Sequence, residues 1–324
     1  IIANGRDPYF YPWTDTAQIN AFSEKTRQKT IDTLLDIAQK CKGVRCDMAM
    51  LLTDDVFRKT WGDEVGEPLE QEFWEDVIPQ VKQEHPDFKF IAEVYWNLEW
   101  ELMQQGFDFF FFNTLYERML NDNAKSVKDH LKADWDYQEK LVRFIENHDE
   151  KRAIKAFGKE RSKAAALLTF TLPGARLGHE GQMRGWKIRL PVQLGRWPEE
   201  EDDLDLMKFY RQLLRAAPGK AFSGGNWTLL KVESLSTDFS AVHIISHMWW
   251  TEDGKKRMIV VNYSPYSSKG NVQVEPMEFG NYTWSFKDLL NNNTYEHKGV
   301  DLDEHGLYVE LDAWKGHIFD IKRK

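Results

Sequence analysis

Along the first two-thirds of the 324-residue chain, apolar positions recur with two alternating periods. From Glu24 to Lys40 they fall at Ile31, Leu34, Leu35 and Ile37, on one face of a helix. Gly43 to Leu51 then reads as a buried strand, and Glu70 to Glu84 as a helix with Phe73, Val77 and Val81 inward. Phe88 to Tyr95 predicts a second strand, Glu99 to Gln105 a short helix and Phe107 to Asn113 a third strand. A helical stretch from Leu115 to about Leu131 leads to a fourth strand, Leu141 to Asn147. Lys151 to Phe170 predicts a helix, Gly174 to Gly178 a short fifth strand, and Leu204 to Ala216 an amphipathic helix. Strands alternating with helices predict an α/β fold with a parallel sheet and helices packed outside it. Five such units are visible, where a closed (β/α)8 barrel needs eight.

After Pro218-Gly219 the pattern changes to strand-like runs without a helical signal. Phe239 to Trp249 and Lys256 to Asn262 flank Asp253-Gly254, a hairpin signature. Further runs follow at Asn271 to Val274, Tyr282 to Lys287, Leu307 to Leu311 and His317 to Ile321. The expected division is therefore a (β/α) barrel portion over 1–218 and an antiparallel β-sandwich domain over 219–324.

Composition narrows the partners. The formal charge of −9 repels phosphate backbones, so nucleic acid is not an expected partner. The longest apolar runs, Phe109 to Phe112 and Ala164 to Phe170, fall far short of the ~20 residues of a membrane helix. Cys41 and Cys46 are too few for a disulfide scaffold and are expected to be buried free thiols. The 13 Trp are expected mostly in the core, with a few free to stack on sugar rings.

Three acidic residues stand out by position. Asp47 ends Gly43-Val44-Arg45-Cys46-Asp47, Glu93 ends Phe90-Ile91-Ala92-Glu93, and Asp149 ends Phe144-Ile145-Glu146-Asn147-His148-Asp149. Each lies at the C-terminal end of a predicted parallel strand, the rim where such sheets build active sites. A single carboxylate at a strand end is usually solvated or salt-bridged. Three of them, with Arg45 two residues before one and Asn147-His148 before another, make a pattern.

That pattern resembles the α-amylase family of glycoside hydrolases. The segment ending in Asp47 is similar to the family's second conserved segment on barrel strand four, and the segment ending in Glu93 to the third, on strand five. The segment ending in Asp149 is similar to the fourth, on strand seven, and Pro12-Trp13-Thr14-Asp15-Thr16-Ala17-Gln18-Ile19-Asn20 to the stretch between strand three and its helix. The resemblance covers nearly the whole chain and implies a partial TIM-type barrel, strands four to eight, followed by a β domain. It implies a retaining glycosidase acting on α-1,4-glucans or maltooligosaccharides. Asp47 would be the nucleophile, Glu93 the general acid/base, and Asp149 the residue holding sugar hydroxyls. Arg45 would keep Asp47 ionised, and His148 and Asn147 would bind substrate. Trp96 is a candidate sugar platform, with core packing as its ordinary alternative. Glu180, in His179-Glu180-Gly181-Gln182 at the same rim, could line the groove or belong to an ordinary loop.

The sequence departs from the family at three places. Met50 and Leu51 stand where many α-amylases carry Lys and His, and Met48 where a small residue is common. The first conserved segment, Asp-x-x-x-Asn-His on strand three, is absent, together with strands one to three. The 324 residues are thus expected to leave the strand-four edge open and to associate through it or show little activity. Transfer to a sugar acceptor, and glucan binding without catalysis, stay as alternatives. No cofactor is implied, and the family's usual calcium ligands would lie in the absent part. The acidic run Glu199 to Asp205 is expected to serve a helix N-terminus. Metal-binding His spacing, a phosphate loop and a Gly-x-Ser-x-Gly elbow are all missing from the sequence. Asn226, Asn262, Asn281 and Asn292 head Asn-x-Ser/Thr triplets.

Overall fold

The computed structural model describes residues 2–324 apart from 193, 223 and 276. The chain divides into two compact units, Ile1–Phe112 with Lys140–Val142, and Asn113–Glu139 with Arg143–Lys324.

In the first unit, strands β1 (Gly43–Cys46), β2 (Lys89–Glu93), β3 (Phe109–Phe111) and β4 (Leu141–Arg143) form a parallel ladder. Its register sets Val44 beside Phe90, Ala92 beside Phe110, and Phe110 beside Leu141. Phe90, Ala92 and Phe110 are buried, as are Phe73, Val77, Ile78 and Val81 from the helix Phe73–Glu84. Each such apolar side chain contributes roughly 1.5–3 kcal/mol by leaving water. The helix Glu24–Ala38 starts at Ser23, whose hydroxyl accepts the Thr26 amide, and buries Ile31 and Leu34. Trp74 donates its indole N–H to the Ala49 carbonyl at 2.8 Å, which ties that turn to a helix. The expected strand Gly43 to Leu51 stops at Cys46 because Met48 takes the left-handed conformation (φ +44°) and Ala49–Leu52 form a 3-10 turn. Cys41 is exposed and Cys46 half-buried, which corrects the expected pair of buried thiols.

In the second unit, the expected single helix from Leu115 to Leu131 is broken into Thr114–Asn121 and Ala124–His130. Asn123 causes the break. Its side chain accepts from the Lys125 and Ser126 amides, capping a new helix. The expected strand Leu141 to Asn147 ends at Arg143. The Arg143 carbonyl accepts from Leu177, beside β5 (Ala175–Arg176), which closes the strand order β1-β2-β3-β4-β5. The helix Lys159–Thr169 buries Ala164 through Thr169 on all sides, while Leu204–Ala216 buries only Leu206, Tyr210, Leu213 and Ala216. Asp203 caps the latter at Leu206, and Lys159 and Lys163 pair with Asp203 and Asp205 at that helix start, whereas Asp202 and Glu200 of the same acidic run bind Arg184 and the Lys187 and Ile188 amides.

The C-terminal part carries β6 (Asn226–Leu230), β7 (Val232–Glu233), β8 (Ile244–Trp250), β9 (Lys256–Asn262), β10 (Ser268–Val272), β11 (Thr283–Asp288), β12 (Thr294–Lys298), β13 (Leu307–Leu311) and β14 (Gly316–Arg323). They form sheets ordered β12-β11-β14-β9-β8-β6 and β13-β10-β7, with antiparallel pairings. Met258, Val260 and Phe286 from one sheet pack in one core with Val272, Val309 and Leu311 from the other. The Asp253-Gly254 hairpin joins β8 to β9, with Trp250 opposite Lys256 and Gly254 at φ +84°. A helix, Gly299–His305, corrects the all-strand expectation. Only Leu302 of its side chains is buried among apolar neighbours, too few to print a helical period. Asn262 is wholly buried and donates to three carbonyls, so that triplet offers no accessible glycan acceptor in the folded chain. Among the described residues, no helix is long and apolar enough to cross a membrane.

Candidate active site

Asp47 and Glu93 each follow directly from strand geometry. β1 delivers Asp47 one residue past its last paired position, and β2 ends on Glu93. The parallel pairing Cys46 with Ala92 puts the two carboxylates at the same end of neighbouring strands. One guanidinium touches both: Arg45 Nη1 hydrogen-bonds Asp47 Oδ1, and Nη2 lies 2.6 Å from Glu93 Oε1. The second contact is a charge contact without a well-aligned hydrogen bond. Arg45 also lies over the Phe111 ring, 5.3 Å from its centroid.

The two acids differ sharply in environment. The Asp47 side chain is 77 % exposed, whereas Glu93 is 5 % exposed. Glu93 Oε2 accepts the Met48 amide at 2.8 Å, and Oε1 accepts the Tyr95 hydroxyl at 3.2 Å. Burial pushes the Glu93 carboxyl above its ordinary range, against the Met48 amide and Arg45, with Asp47 adding to the upward push. A buried carboxyl shifted upward beside an exposed one sets the two acids in different environments. Burial also pushes the neighbouring Cys46 thiol up to about 12, with Arg45 opposing.

Trp96 is half-buried, takes φ +64°, and meets Tyr9 edge-on at 4.8 Å. Met50 is fully buried, which removes it from any solvent-facing subsite.

The remaining predicted residues belong to the second unit. His148 Nε2 lies 3.0 Å from Asp149 Oδ2, and both are largely exposed. Asn147 is buried, and its Oδ1 accepts the Asp149 and Glu150 amides at 2.8 Å each, which fixes the loop carrying Asp149. Glu180 is exposed, and its carbonyl accepts from Arg152 at 2.5 Å. Among the described residues, no group of three or more His, Cys, Asp or Glu is arranged to hold a metal ion.

Sequence reasoning missed the supports of both acidic loops. Tyr95 and the Met48 amide hold Glu93, and their geometry depends on left-handed backbone at non-glycine positions, for which the sequence carries no signal. Glu146 and Arg152 form a buried pair at 2.6 Å, with His179 Nδ1 3.0 Å from Glu146. The signal available was Arg152 itself, six residues beyond Glu146 in the same motif-bearing loop.

No protein-family model matches the chain. It is 28 % identical over 189 residues to the α-amylase MalA of Haloarcula japonica, a match spanning 56 % of this chain and 26 % of that protein. The noncanonic maltogenic α-amylase AmyB of Thermotoga neapolitana superposes with a TM-score of 0.70 at 17 % identity, over 97 % of this chain and 71 % of that one. An Anoxybacillus α-amylase gives 0.72 at 15 % identity, over 100 % and 70 %. The Nostoc punctiforme debranching enzyme gives 0.65 at 18 % identity, over 94 % and 62 %. The solved structures share the fold, and the sequence relationship to MalA adds kinship to it. The chain is thus similar in sequence to one α-amylase over 189 residues and shares the fold of α-amylases and a debranching enzyme.

Proposed function

We propose that this chain is the catalytic part of a retaining glycosidase acting on α-1,4-linked glucans or maltooligosaccharides. The observation that carries the reading is the single Arg45 guanidinium in contact with both Asp47 and Glu93. Retaining glycosidases need their two carboxyl groups ~5–5.5 Å apart, and a shared guanidinium keeps two carboxylates close. Asp47, exposed, attacks the anomeric carbon and forms a glycosyl-enzyme. Glu93, buried and poised to keep its proton, protonates the leaving oxygen. It then takes a proton from water, which cleaves the covalent bond. Arg45 hydrogen-bonds Asp47 and orients it for attack. For Asp149, His148 and Asn147 as sugar-hydroxyl ligands, and for Trp96 and Glu180 as groove residues, support comes from the family resemblance. The fold is read as barrel strands four to eight followed by the β domain. The mechanism draws on carboxyl groups alone and takes no cofactor.

A 2-deoxy-2-fluoro-α-maltosyl-type inactivator tests the reading directly. The expected result is a covalent adduct on the Asp47 peptide, absent in Asp47→Asn, with α-anomeric products seen by proton NMR. An adduct on another residue, or β-anomeric products, would refute it. Transfer in place of hydrolysis is separated by product analysis at high oligosaccharide concentration.

Self-association belongs to the same proposal. Among the described residues β1 pairs with β2 alone, and all four of its residues are only half-buried. An edge of this kind recruits strands. A strictly monomeric chain in sedimentation equilibrium across the micromolar range would rule the association out.

A further inference from the structure

We propose that Tyr95 is a positioning residue that, together with the Met48 amide and the Arg45 guanidinium, orients the Glu93 carboxyl and follows its proton through both ionisation states. The inference rests on the reading of Glu93 as acid/base and deepens it. The two carboxyl oxygens are held by chemically different partners. Met48 N–H, at 2.8 Å from Oε2, can only donate, so Oε2 is obliged to accept whether or not Glu93 is ionised. The Tyr95 hydroxyl, at 3.2 Å from Oε1, can donate to a carboxylate and can turn to accept from a carboxylic acid. The Arg45 guanidinium, 2.6 Å from Oε1, also can only donate, so of the three groups around the carboxyl Tyr95 is the one that can follow its proton through both states. Glu93 is almost fully buried, so bulk water is in no position to replace either partner.

The backbone is bent to build this hold. The Met48 amide belongs to the peptide unit that follows Asp47, so one peptide links the nucleophile to the acid's second oxygen, and the chain turns left-handed directly after it (φ +44°). Immediately after Tyr95, Trp96 and Asn97 take φ +64° and +61°, two consecutive left-handed residues of which one is a bulky aromatic. Each such residue is held at a cost that the surroundings must override, and such positions cluster where a side chain has to be aimed. Here the bend returns the chain so that Tyr95 faces Glu93 and Trp96 meets Tyr9.

The test titrates the Glu93 δ-carbon by 13C NMR in the full chain, with the resonance assigned by its loss in Glu93→Gln. Removing the Tyr95 donor takes away a hydrogen bond that favours the carboxylate, so Tyr95→Phe is expected to move the titration to higher pH. Replacing Tyr95 with 3-fluorotyrosine, a stronger donor of nearly the same shape, is expected to move it lower. This second variant keeps the test decisive if the Phe variant folds poorly. In turnover of maltooligosaccharides, Tyr95→Phe is expected to lower kcat roughly tenfold at unchanged KM, with the alkaline limb of the pH profile moved upward. Opposite NMR shifts in the two variants support the proposal even if the parent turns nothing over, in which case the glycosidase reading fails alone. An unmoved Glu93 titration in both variants overturns the proposal, and it does so whether kcat falls or not.

Discussion

Arg152 and Glu146 offer a stability prediction that depends on no assumption about catalysis. Both side chains are almost completely buried, and the guanidinium meets the Glu146 carboxylate at 2.6 Å. The same guanidinium donates to the carbonyls of Glu180 at 2.5 Å and Ile188 at 3.0 Å, so it clamps two loops to one carboxylate. Replacing it with methionine keeps much of the volume and leaves Glu146 buried with the Ala153 amide at 2.6 Å and the His179 ring at 3.0 Å. Removing one partner of a buried pair typically costs about 3–5 kcal/mol because the other charge stays uncompensated. At about 2–4 °C per kcal/mol for a unit of this size, Arg152→Met is expected to lower the melting temperature by roughly 6–20 °C. The double variant Arg152→Met with Glu146→Gln removes the stranded charge and keeps an oxygen for the Ala153 amide. It should regain at least half of the loss. Calorimetry at neutral pH, with urea unfolding followed by tryptophan fluorescence, measures both. A single variant within about 1 kcal/mol of the parent, or a double variant no better than the single, would refute the reasoning.

Three further outcomes follow from the same kind of argument. Glu72 is raised to about 7, first by burial and then by the nearby carboxylates of Asp54, Glu101 and Glu75, against the Asp54 amide bond. An acid whose pKa is higher folded than unfolded binds more protons folded, so stability falls as pH rises from the ordinary glutamate range through 7; Glu72→Gln should raise the melting temperature at pH 8 more than at pH 4, and an equal change at both would contradict this. Cys41 is exposed while burial holds the Cys46 thiol near 12, so a thiol reagent at pH 8 should consume one equivalent quickly and label the Cys41 peptide; fast double labelling of the native chain would be inconsistent. Asn262 bonds the carbonyls of Tyr266, Leu311 and Asp312 from full burial, so Asn262→Leu should cost about 2–4 kcal/mol in urea unfolding, and a change under about 0.5 kcal/mol would show those bonds to be energetically idle.

Asp47 and Glu93 could be found in the sequence because strands declare their ends. The run Phe90 to Ala92 is continuously apolar and Val44 and Cys46 flank Arg45 in a short parallel strand beside it, so the acidic residue next in line after each sits at the rim. Asp149 is marked by its motif, and the apolar run before it predicts a strand longer than the one that forms. β4 ends at Arg143, four residues short of Asn147, although Phe144 and Ile145 continue the apolar run and are buried. Buried side chains do not distinguish a strand from a tight loop. What bends the chain here is Glu146 folding back to the Ala153 amide and to Arg152, a contact between two polar positions that a pattern of apolar residues does not register. The same limit explains the helix split at Asn123 and the unforeseen Gly299–His305 helix, where one side chain in the first case and one buried leucine in the second decide the outcome.

The strand-end positions of the two candidate acids are therefore more legible than the groups that hold them, and there is a physical reason for the asymmetry. A nucleophile or an acid must be of a particular type at a strand end, so its identity and its place are both written locally. Its supports need only supply a donor in the right spot, and a backbone amide serves as well as a side chain. Met48 holds Glu93 through an N–H that every non-proline residue possesses, at a point where the chain turns left-handed (φ +44°), and its side chain announces neither. Replacing Met48 with glycine would keep that amide and relax the strain of the left-handed turn. If the hold on Glu93 is a property of the backbone, the glycine variant should keep the parent's Glu93 titration and lose at most the packing of one half-buried side chain. A titration that moved as far as in Tyr95→Phe would place the hold in the Met48 side chain, against the geometry described here.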